Sequence, residues 1–410
     1  MIPNGYKQTE IGAVPDSWNI ISFDECFKII SNNTLPRAEL SENVGTVKNI
    51  HYGDILVKYN NVLNCTSEFI PYVQDSTKKI PFTYLKNGDL IIADTAEDET
   101  VGKAVEISNI GEQKIVAGLH TIPCRAFEDD MFVNGWLGYF INHSIYHDQL
   151  LPFVTGTKVS AISKTSISST LILVPPLDEQ KRIAEALSDV DGMISSLEKL
   201  IAKKKAIKQG AMQELLTGKK RLPGFTGEWE RRAICDIATV LDDHRTPVKE
   251  SDREKMEGSI PYCGANGVVG YVNNFTIDDE IILIAEDGGY FDEYATRPIA
   301  YKMSGKCWVN NHAHVLKSKA NTNQDYLFYS LVHKDIRDFI TSGTRSKLNK
   351  AELLKITISV PPTTEEQTAI ASILSDMDSE IEALEQKLAK TRQLKQGMMQ
   401  QLLTGKIRLV

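Results

Sequence analysis

One stretch of this chain is written twice. Val174–Leu222 reads VPPLDEQKRIAEALSDVDGMISSLEKLIAKKKAIKQGAMQELLTGKKRL, and Val360–Leu409 reads VPPTTEEQTAIASILSDMDSEIEALEQKLAKTRQLKQGMMQQLLTGKIRL. From Gln180 and Gln367 onward the copies keep step at an offset of about 187 residues, so roughly half the chain has been duplicated. A repeat of that length ties the fold to two related halves, each with its own copy.

Inside the first copy, Ile183, Leu187, Val190, Ile194, Leu197 and Ile201 alternate steps of four and three, the narrow seam of a coiled coil. Ile370, Leu374, Met377, Ile381, Leu384 and Leu388 match them in register. Each helix opens after a Pro-Pro pair that ends a strand, with acids (Asp178, Glu179; Glu365, Glu366) at the positive end of the helix dipole. Each closes at Thr-Gly-Lys, where Gly218 or Gly405 can take the left-handed cap. About 40 residues at about 1.5 Å each make a rod of roughly 60 Å. Gly210 and Gly397, near the C-terminal ends, point to a bend or a close helix contact. Such a seam is structural in itself, a spacer or dimerisation coil. Packed antiparallel, the two rods give an approximate two-fold axis relating the halves.

The chain has 410 residues, 42% hydrophobic and 24% charged, which leaves room for two cored domains plus connectors. Residues 1–174 form the first domain, 175–222 the first long helix, 223–360 the second domain and 361–410 the second helix. Before the first helix, the apolar runs Gly88–Ala93, Lys114–Ala117 and Thr170–Val174 read as strands broken by turns. Phe132–Leu151 has helical spacing and should cover the sheet. The second domain repeats that order, with strands at Ile281–Ala285 and Trp308–Leu316 and a helix over Asp325–Ile340. Trp18 and Trp229 stand near the two starts, and Gly156-Thr157-Lys158 matches Gly343-Thr344-Arg345 at the offset of the helices. From Trp to Gly-Thr the first domain is the longer, so the two share a scaffold and differ in loops, which usually carry recognition. The fold class is α+β: two mixed α/β domains separated by two long antiparallel coiled-coil helices, with an internal pseudo-two-fold repeat.

The six cysteines are scattered without a CxxC pair, so neither a zinc site nor a disulfide framework is suggested and a reducing cytosol fits. No apolar run approaches the roughly 18 residues of a membrane span, and the expectation is a soluble, cytoplasmic protein without a membrane partner. The formal net charge of −8 means that any surface for nucleic acid is local, or belongs to a partner.

The alternation of variable domain, VPPLDEQKRI-type helix ending in LKQGxMQxLLTGK type, second variable domain and second such helix resembles the specificity subunit of type I restriction-modification systems. The likeness rests on Lys208-Gln209-Gly210 to Thr217-Gly218-Lys219 and on Lys395-Gln396-Gly397 to Thr404-Gly405-Lys406, and it covers essentially the whole chain. The opening Thr9-Glu10-Ile11-Gly12 to Pro15 and Trp18 also looks like that family's lead-in. The resemblance implies target-recognition domains that each read one half of a split site in double-stranded DNA. It implies helices that act as ruler and docking surface for two methyltransferase subunits, with restriction subunits completing the enzyme. S-adenosylmethionine, ATP and Mg would then belong to the partner subunits, with no cofactor in this chain.

The residues themselves point to a reader rather than a catalyst. There is no GxxxxGK[ST] phosphate loop, since both Thr-Gly-Lys triplets lack the upstream glycine, and no Asn/Asp-Pro-Pro-aromatic sequence of the amino-methyltransferase kind. Glu179-Gln180-Lys181 looks superficially like the end of a nuclease metal site, but at a helix start acids cap and lysines are solvated. His312 and His314 would share one face of a strand, without a third metal ligand at a telling spacing, so no metal site is assigned.

DNA readout needs Asn, Gln, Arg, Lys and His at base edges, with Lys, Arg, Ser and Thr on phosphates. The candidates are Thr157, Lys158 and Lys164 in the first domain and Thr344, Arg345, Lys347, Asn349 and Lys350 at the equivalent place in the second, with ordinary solvated lysines as the alternative. Lys58, Asn60, Asn61, Asn310 and His312 have suitable chemistry. So does Asn266, though Asn-Gly is first of all a hairpin turn. Asp94 and Glu286, each ending a central strand, could accept from cytosine amino groups or simply cap a turn. The rival reading is a structural adaptor whose domains bind protein and whose coil spaces them.

Overall fold

The structure, a computed structural model, describes residues 4–43, 45–74, 82–341 and 346–410. It divides into two compact units, residues 1–198 with 387–410 and residues 199–386. Both boundaries fall inside the long helices, Leu177–Leu215 and Thr364–Leu402.

The first unit is built on a five-stranded sheet in the order Phe27–Ile29, Thr121–Ala126, Leu90–Ala93, Ala104–Ser108, Val62–Asn64. Its central strand is a continuous apolar run because both faces are covered. Leu90 and Ile92 point into a core with Trp18, Trp136, Ile183 and Leu187, while Ile91 and Ala93 point into another with Ile50, Ile55 and Leu63. A second sheet, in the order Ile115–Ala117, Lys48–Ile50, Tyr72–Val73, Leu40–Ser41, closes the far side. The strand ahead of the Pro-Pro pair, Leu171–Val174, pairs antiparallel with Asn19–Ser22 near the start of the unit and delivers the chain into the first long helix.

The second unit repeats the plan. Its main sheet runs Ala238–Val240, Ala313–Ser318, Ile281–Ala285, Ala300–Met303, and its second sheet runs Gly267–Val272, Ile260–Gly264, Lys306–Val309, Ile277–Asp278. Ile281–Ala285 is again buried along its length, with Ile282 and Ile284 in one core and Ile281 and Leu283 in the other. Glu230–Ala233 pairs with Thr357–Val360 as the lead into the second long helix.

Three expected elements are shorter than their patterns suggested, each for a polar reason. The helix expected over Phe132–Leu151 is two helices, Trp136–Ile141 and Ser144–His147. Between them the Asn142 amide bonds both backbone groups of Ala104, and the His143 ring caps the N–H of Ile145. The helix expected over Asp325–Ile340 is Gln324–Val332, after which the Asp335 side chain takes the Arg337 N–H and starts a 3-10 turn. The strand expected over Trp308–Leu316 is interrupted between Lys306–Val309 and Ala313–Ser318, where Asn310 accepts from the His312 N–H in an Asx turn. His312 therefore lies in a turn and not on a strand face with His314.

The long helices match their expected caps, with Gly218 at φ +72° and Gly405 at φ +69°. Their seams are not coiled coil throughout. Ile183 and Leu187 belong to the core of the first unit, and Ile370 and Leu374 to that of the second. Val190, Leu197, Ile201 and Ile381 are buried further along, and Ile194, Met377, Leu384 and Leu388 half-buried. The helix segments run antiparallel within each unit: Lys395 pairs with Asp191 and Arg392 with Glu198 in the first, and Lys204 with Glu380 and Lys208 with Asp378 in the second. Gly210 and Gly397 make no close contact; a Cβ added at either would meet open space. Among the described residues no helix is long and apolar enough to cross a membrane.

Candidate nucleic-acid interface

In both units, three segments meet where the central strand ends. The Asp94 N–H donates to the His120 carbonyl (3.1 Å), and the Asp94 carbonyl accepts from Ile162 (2.9 Å). In the second unit the Glu286 N–H donates to the His312 carbonyl (2.8 Å), and the Glu286 carbonyl accepts from Leu348 (2.7 Å). The backbone thus brings the same three pieces together twice: an acid at the strand end, a histidine from the turn before the next strand, and the basic loop before the last short helix.

In the first unit that loop is tight. Thr155 and Ala161 exchange two backbone bonds, of 3.0 and 2.8 Å, and Ser160–Ala161 pairs with Thr95–Ala96 beside Asp94. Gly156, at φ +105°, permits the turn; a Cβ there would lie 2.0 Å from the Val159 carbonyl oxygen. Thr157 and Lys158 stand exposed at its tip. In the second unit Ile340–Thr341 pairs with Lys347–Leu348 across the corresponding loop, whose Thr344 and Arg345 lie outside the described residues. Lys164 and Lys350 each open a short helix, Lys164–Ser168 and Lys350–Leu353, and both are exposed. The Asn349 amide bonds the Thr341 hydroxyl at 3.0 Å.

The two edges differ in electrostatics. Around Glu286 stand Arg245, Lys347 at 2.9 Å and His314 at 3.7 Å. Burial works against ionisation of Glu286, but the bonds from Arg245 and Lys347 outweigh it and hold the carboxyl below its usual range. Asp242 is opposed by burial in the same way and drawn down by His314, the Val315 N–H and Arg245. The Glu286 bond, in turn, raises the Lys347 ammonium. Ligand atoms of Asp242, Glu286 and His314 lie within 4.8 Å of one another, a spacing that one metal ion could bridge. Arg245 and Lys347 already neutralise this cluster, and both His314 ring nitrogens are engaged, one by Asp242 (2.6 Å) and one by the Leu348 carbonyl (2.8 Å). His312 is held by Asp287 at 2.6 Å. In the first unit, among the described residues, Asp94 meets milder partners, the Thr95 hydroxyl at 2.7 Å and the His120 ring at 3.2 Å.

The other sequence candidates are scattered. Lys58 donates to the Phe69 carbonyl at 2.7 Å and lies 4.7 Å over that ring, with Asn60 exposed nearby. The Asn61 carbonyl accepts from Glu106 and packs against Gly138. Asn266 sits at the hairpin turn between Ile260–Gly264 and Gly267–Val272, with its amide on the Gly288 carbonyl at 2.9 Å. Asn310 is 7% exposed and its side-chain oxygen is committed to the turn it makes.

Sequence reasoning missed Arg245, Asp242, His120 and Asp287, whose partners are remote in the chain. It also missed what the Glu-Gln pair does at each helix start. Arg408 grips Glu179 with two bonds of 2.6 and 2.7 Å while the Trp18 indole donates to the same carboxylate at 2.9 Å. Arg221 grips Glu366 likewise at 2.9 and 2.8 Å. Gln180 accepts from Val133 and donates to Pro175, and Gln367 accepts from Asn323 and donates to Pro361. These residues fasten helix to domain. The recurrence of an arginine three residues after each Thr-Gly was the signal available for finding them.

The model of the type I restriction modification DNA specificity domain matches residues 15–209 and 226–393. A protein named as a type I restriction enzyme specificity subunit in Haemophilus influenzae is 38% identical over 155 residues; the match spans only 38% of that relative's length and 38% of this chain. A similarly named MjaX specificity subunit of Methanocaldococcus jannaschii is 25% identical over 432 residues, covering 98% of this chain and 97% of its own. The crystal structure of a type I restriction-modification S subunit from M. genitalium shares the fold, with a TM-score of 0.63 at 14% identity over 98% of this chain and 99% of that one.

Proposed function

The chain belongs to the type I restriction modification DNA specificity domain family, and from that premise we propose that it reads a bipartite DNA site, one half-site per unit, for a type I restriction-modification assembly. The observation that carries this reading is the edge built twice on one backbone plan and furnished differently: Asp94 with His120 and the Lys158 loop in one unit, Glu286 with Arg245, His312 and Lys347 in the other. A duplicated frame with unlike side chains suits the recognition of two unlike half-sites, because base edges are distinguished by donor and acceptor pattern. Lys158, Lys164 and Lys350 are exposed beside these edges and suit phosphate contact, which a chain of net charge −8 must concentrate locally.

The long helices serve as ruler and docking surface for two methyltransferase subunits. Methyl transfer and DNA cleavage, with S-adenosylmethionine, ATP and Mg, reside in the partner subunits. The test is selection from a randomised duplex pool by the chain purified with its methyltransferase partner. Enrichment of two short fixed blocks separated by an unspecified gap is expected; recovery of an unenriched pool contradicts the reading. Lys158→Ala should weaken binding to all sequences about equally and reduce its salt dependence by about one phosphate contact.

A further inference from the structure

Within the second unit, the first long helix beyond Lys205 and the mixed domain enclose a cleft of about 670 Å³, in the size range of small-molecule sites. Its walls include Met212, Tyr294 and Tyr329 together with Lys208, Arg231 and Lys334. Lys208 is neutralised there, paired with Asp378 and 5.5 Å over the Tyr329 ring. Among the described residues, Arg231 bonds only the Thr357 hydroxyl, at 2.8 Å, and the Lys334 amine has no hydrogen-bond acceptor. Burial lowers the Lys334 pKa, the charge of Arg231 lowers it further, and Asp335 opposes both. The Asp335 carboxylate is itself held by Arg337, so Arg231, which is exposed, and Lys334 line one cleft with no carboxylate hydrogen-bonded to either, and a bound anion would remove the cost of their repulsion.

The first unit supplies an internal control. There Tyr139 donates to Asp191 at 2.8 Å, and Lys395 pairs with Asp191 at 2.6 Å and lies 5.5 Å over the Tyr139 ring, repeating the arrangement of Tyr329, Asp378 and Lys208. By strand register Arg231, opposite Ser359, corresponds to Ile20, opposite Leu173. Counting from the matched tyrosines, Lys334 corresponds to Ser144. The shared framework therefore stands without either cation, and the pair belongs to something particular to the second unit. Glu286, Lys347 and the other strand-end residues do not line the cleft, so it is a different place from the proposed DNA edge.

From this cleft and its unmatched cations we propose that the second unit binds a small phosphate-bearing molecule, its anionic group held by Arg231 and Lys334 and any organic portion lying against Tyr294 and Met212. The test is calorimetric titration of the full-length chain with inorganic phosphate and, separately, with AMP. Saturable binding is expected, weakened about tenfold or more by Arg231→Met and by Lys334→Met, retained by Lys334→Arg, and unaffected by Lys158→Ala on the proposed DNA edge. Tighter binding of AMP identifies a nucleotide-like ligand; equal affinity identifies the free anion. Protection of the Lys334 amine from reductive methylation by the bound anion gives a second readout that needs no variant. Absence of saturable binding by either probe, or unchanged affinity in both methionine variants, overturns the proposal. Protection of Lys334 by random duplex DNA but not by AMP or phosphate overturns it as well, assigning the cleft to the DNA backbone.

Discussion

Glu106, 1% exposed, accepts the backbone N–H groups of Gly135 and Gly138 at 2.7 and 2.8 Å where the helix Trp136–Ile141 begins. Burial pushes its carboxyl up to about 7, against the opposing effect of those N–H groups. The folded state therefore holds the proton more tightly than the unfolded chain does. Its contribution is greatest below the ordinary value of 4.5, declines as pH rises towards about 7, and levels off above, for at most about 3 kcal/mol. Protection of the central-strand amides Leu90–Ala93 against hydrogen exchange should fall between pH 5 and 8, and Glu106→Gln should flatten that slope.

Glu179 behaves oppositely. Burial resists its ionisation, but Arg408 and Trp18 overcome this and hold the carboxyl below its usual range, so the stability it confers is present above about pH 4.5 and lost as pH falls. Arg408→Ala strands a carboxylate that is 2% exposed. Because the arginine itself is a quarter exposed, the expected loss is about 2–3 kcal/mol rather than that of a fully buried pair, read from the same amides; Arg408→Lys should recover only part, since lysine cannot make the two-pronged contact. The repeat offset drew attention to the loop of Gly156, Thr157 and Lys158, which the structure places exposed beside the end of the central strand, while its counterpart at Gly343 lies outside the described residues. Arg245, 41 positions from Glu286, was not, because a pair of that kind is set by tertiary folding and leaves no local pattern. Asn310 looked like a base reader because the same amide that reads adenine also builds an Asx turn.

Among the elements, the long helices carry the clearest test of local physics. Gly210 and Gly397 lie inside continuous helix and a Cβ at either meets nothing within 4 Å, so Gly210→Ala and Gly397→Ala should each stabilise by about 0.5–1 kcal/mol, measured as a raised midpoint in urea. The cap glycines should respond in the opposite sense: at Gly405, φ +69°, a Cβ would also lie 2.5 Å from Pro15. The central strands and both long helices were readable because their patterns are imposed by burial and by caps. The covering helices were not, because their apolar spacing runs on through Asn142 and His333 while the backbone does not. The seam pattern also concealed a change of partner: the spacing of Ile183 and Leu187 matches a coiled coil, yet these side chains fill a domain core.

At the scale of the whole molecule, the duplication means that each unit completes its own core and its own fastener, Arg408 on Glu179 in one and Arg221 on Glu366 in the other. Each edge also has its own set of side chains on a shared backbone. Recognition by one unit should then be exchangeable without disturbing the other. The most direct measurement replaces residues 223–359 with the equivalent segment of another family member and maps methylated sites across the genome of a host that carries the chimaera and its methyltransferase. One half of the methylated motif is predicted to change while the other half stays as in the parent; a motif altered in both halves, or in neither, would contradict the account.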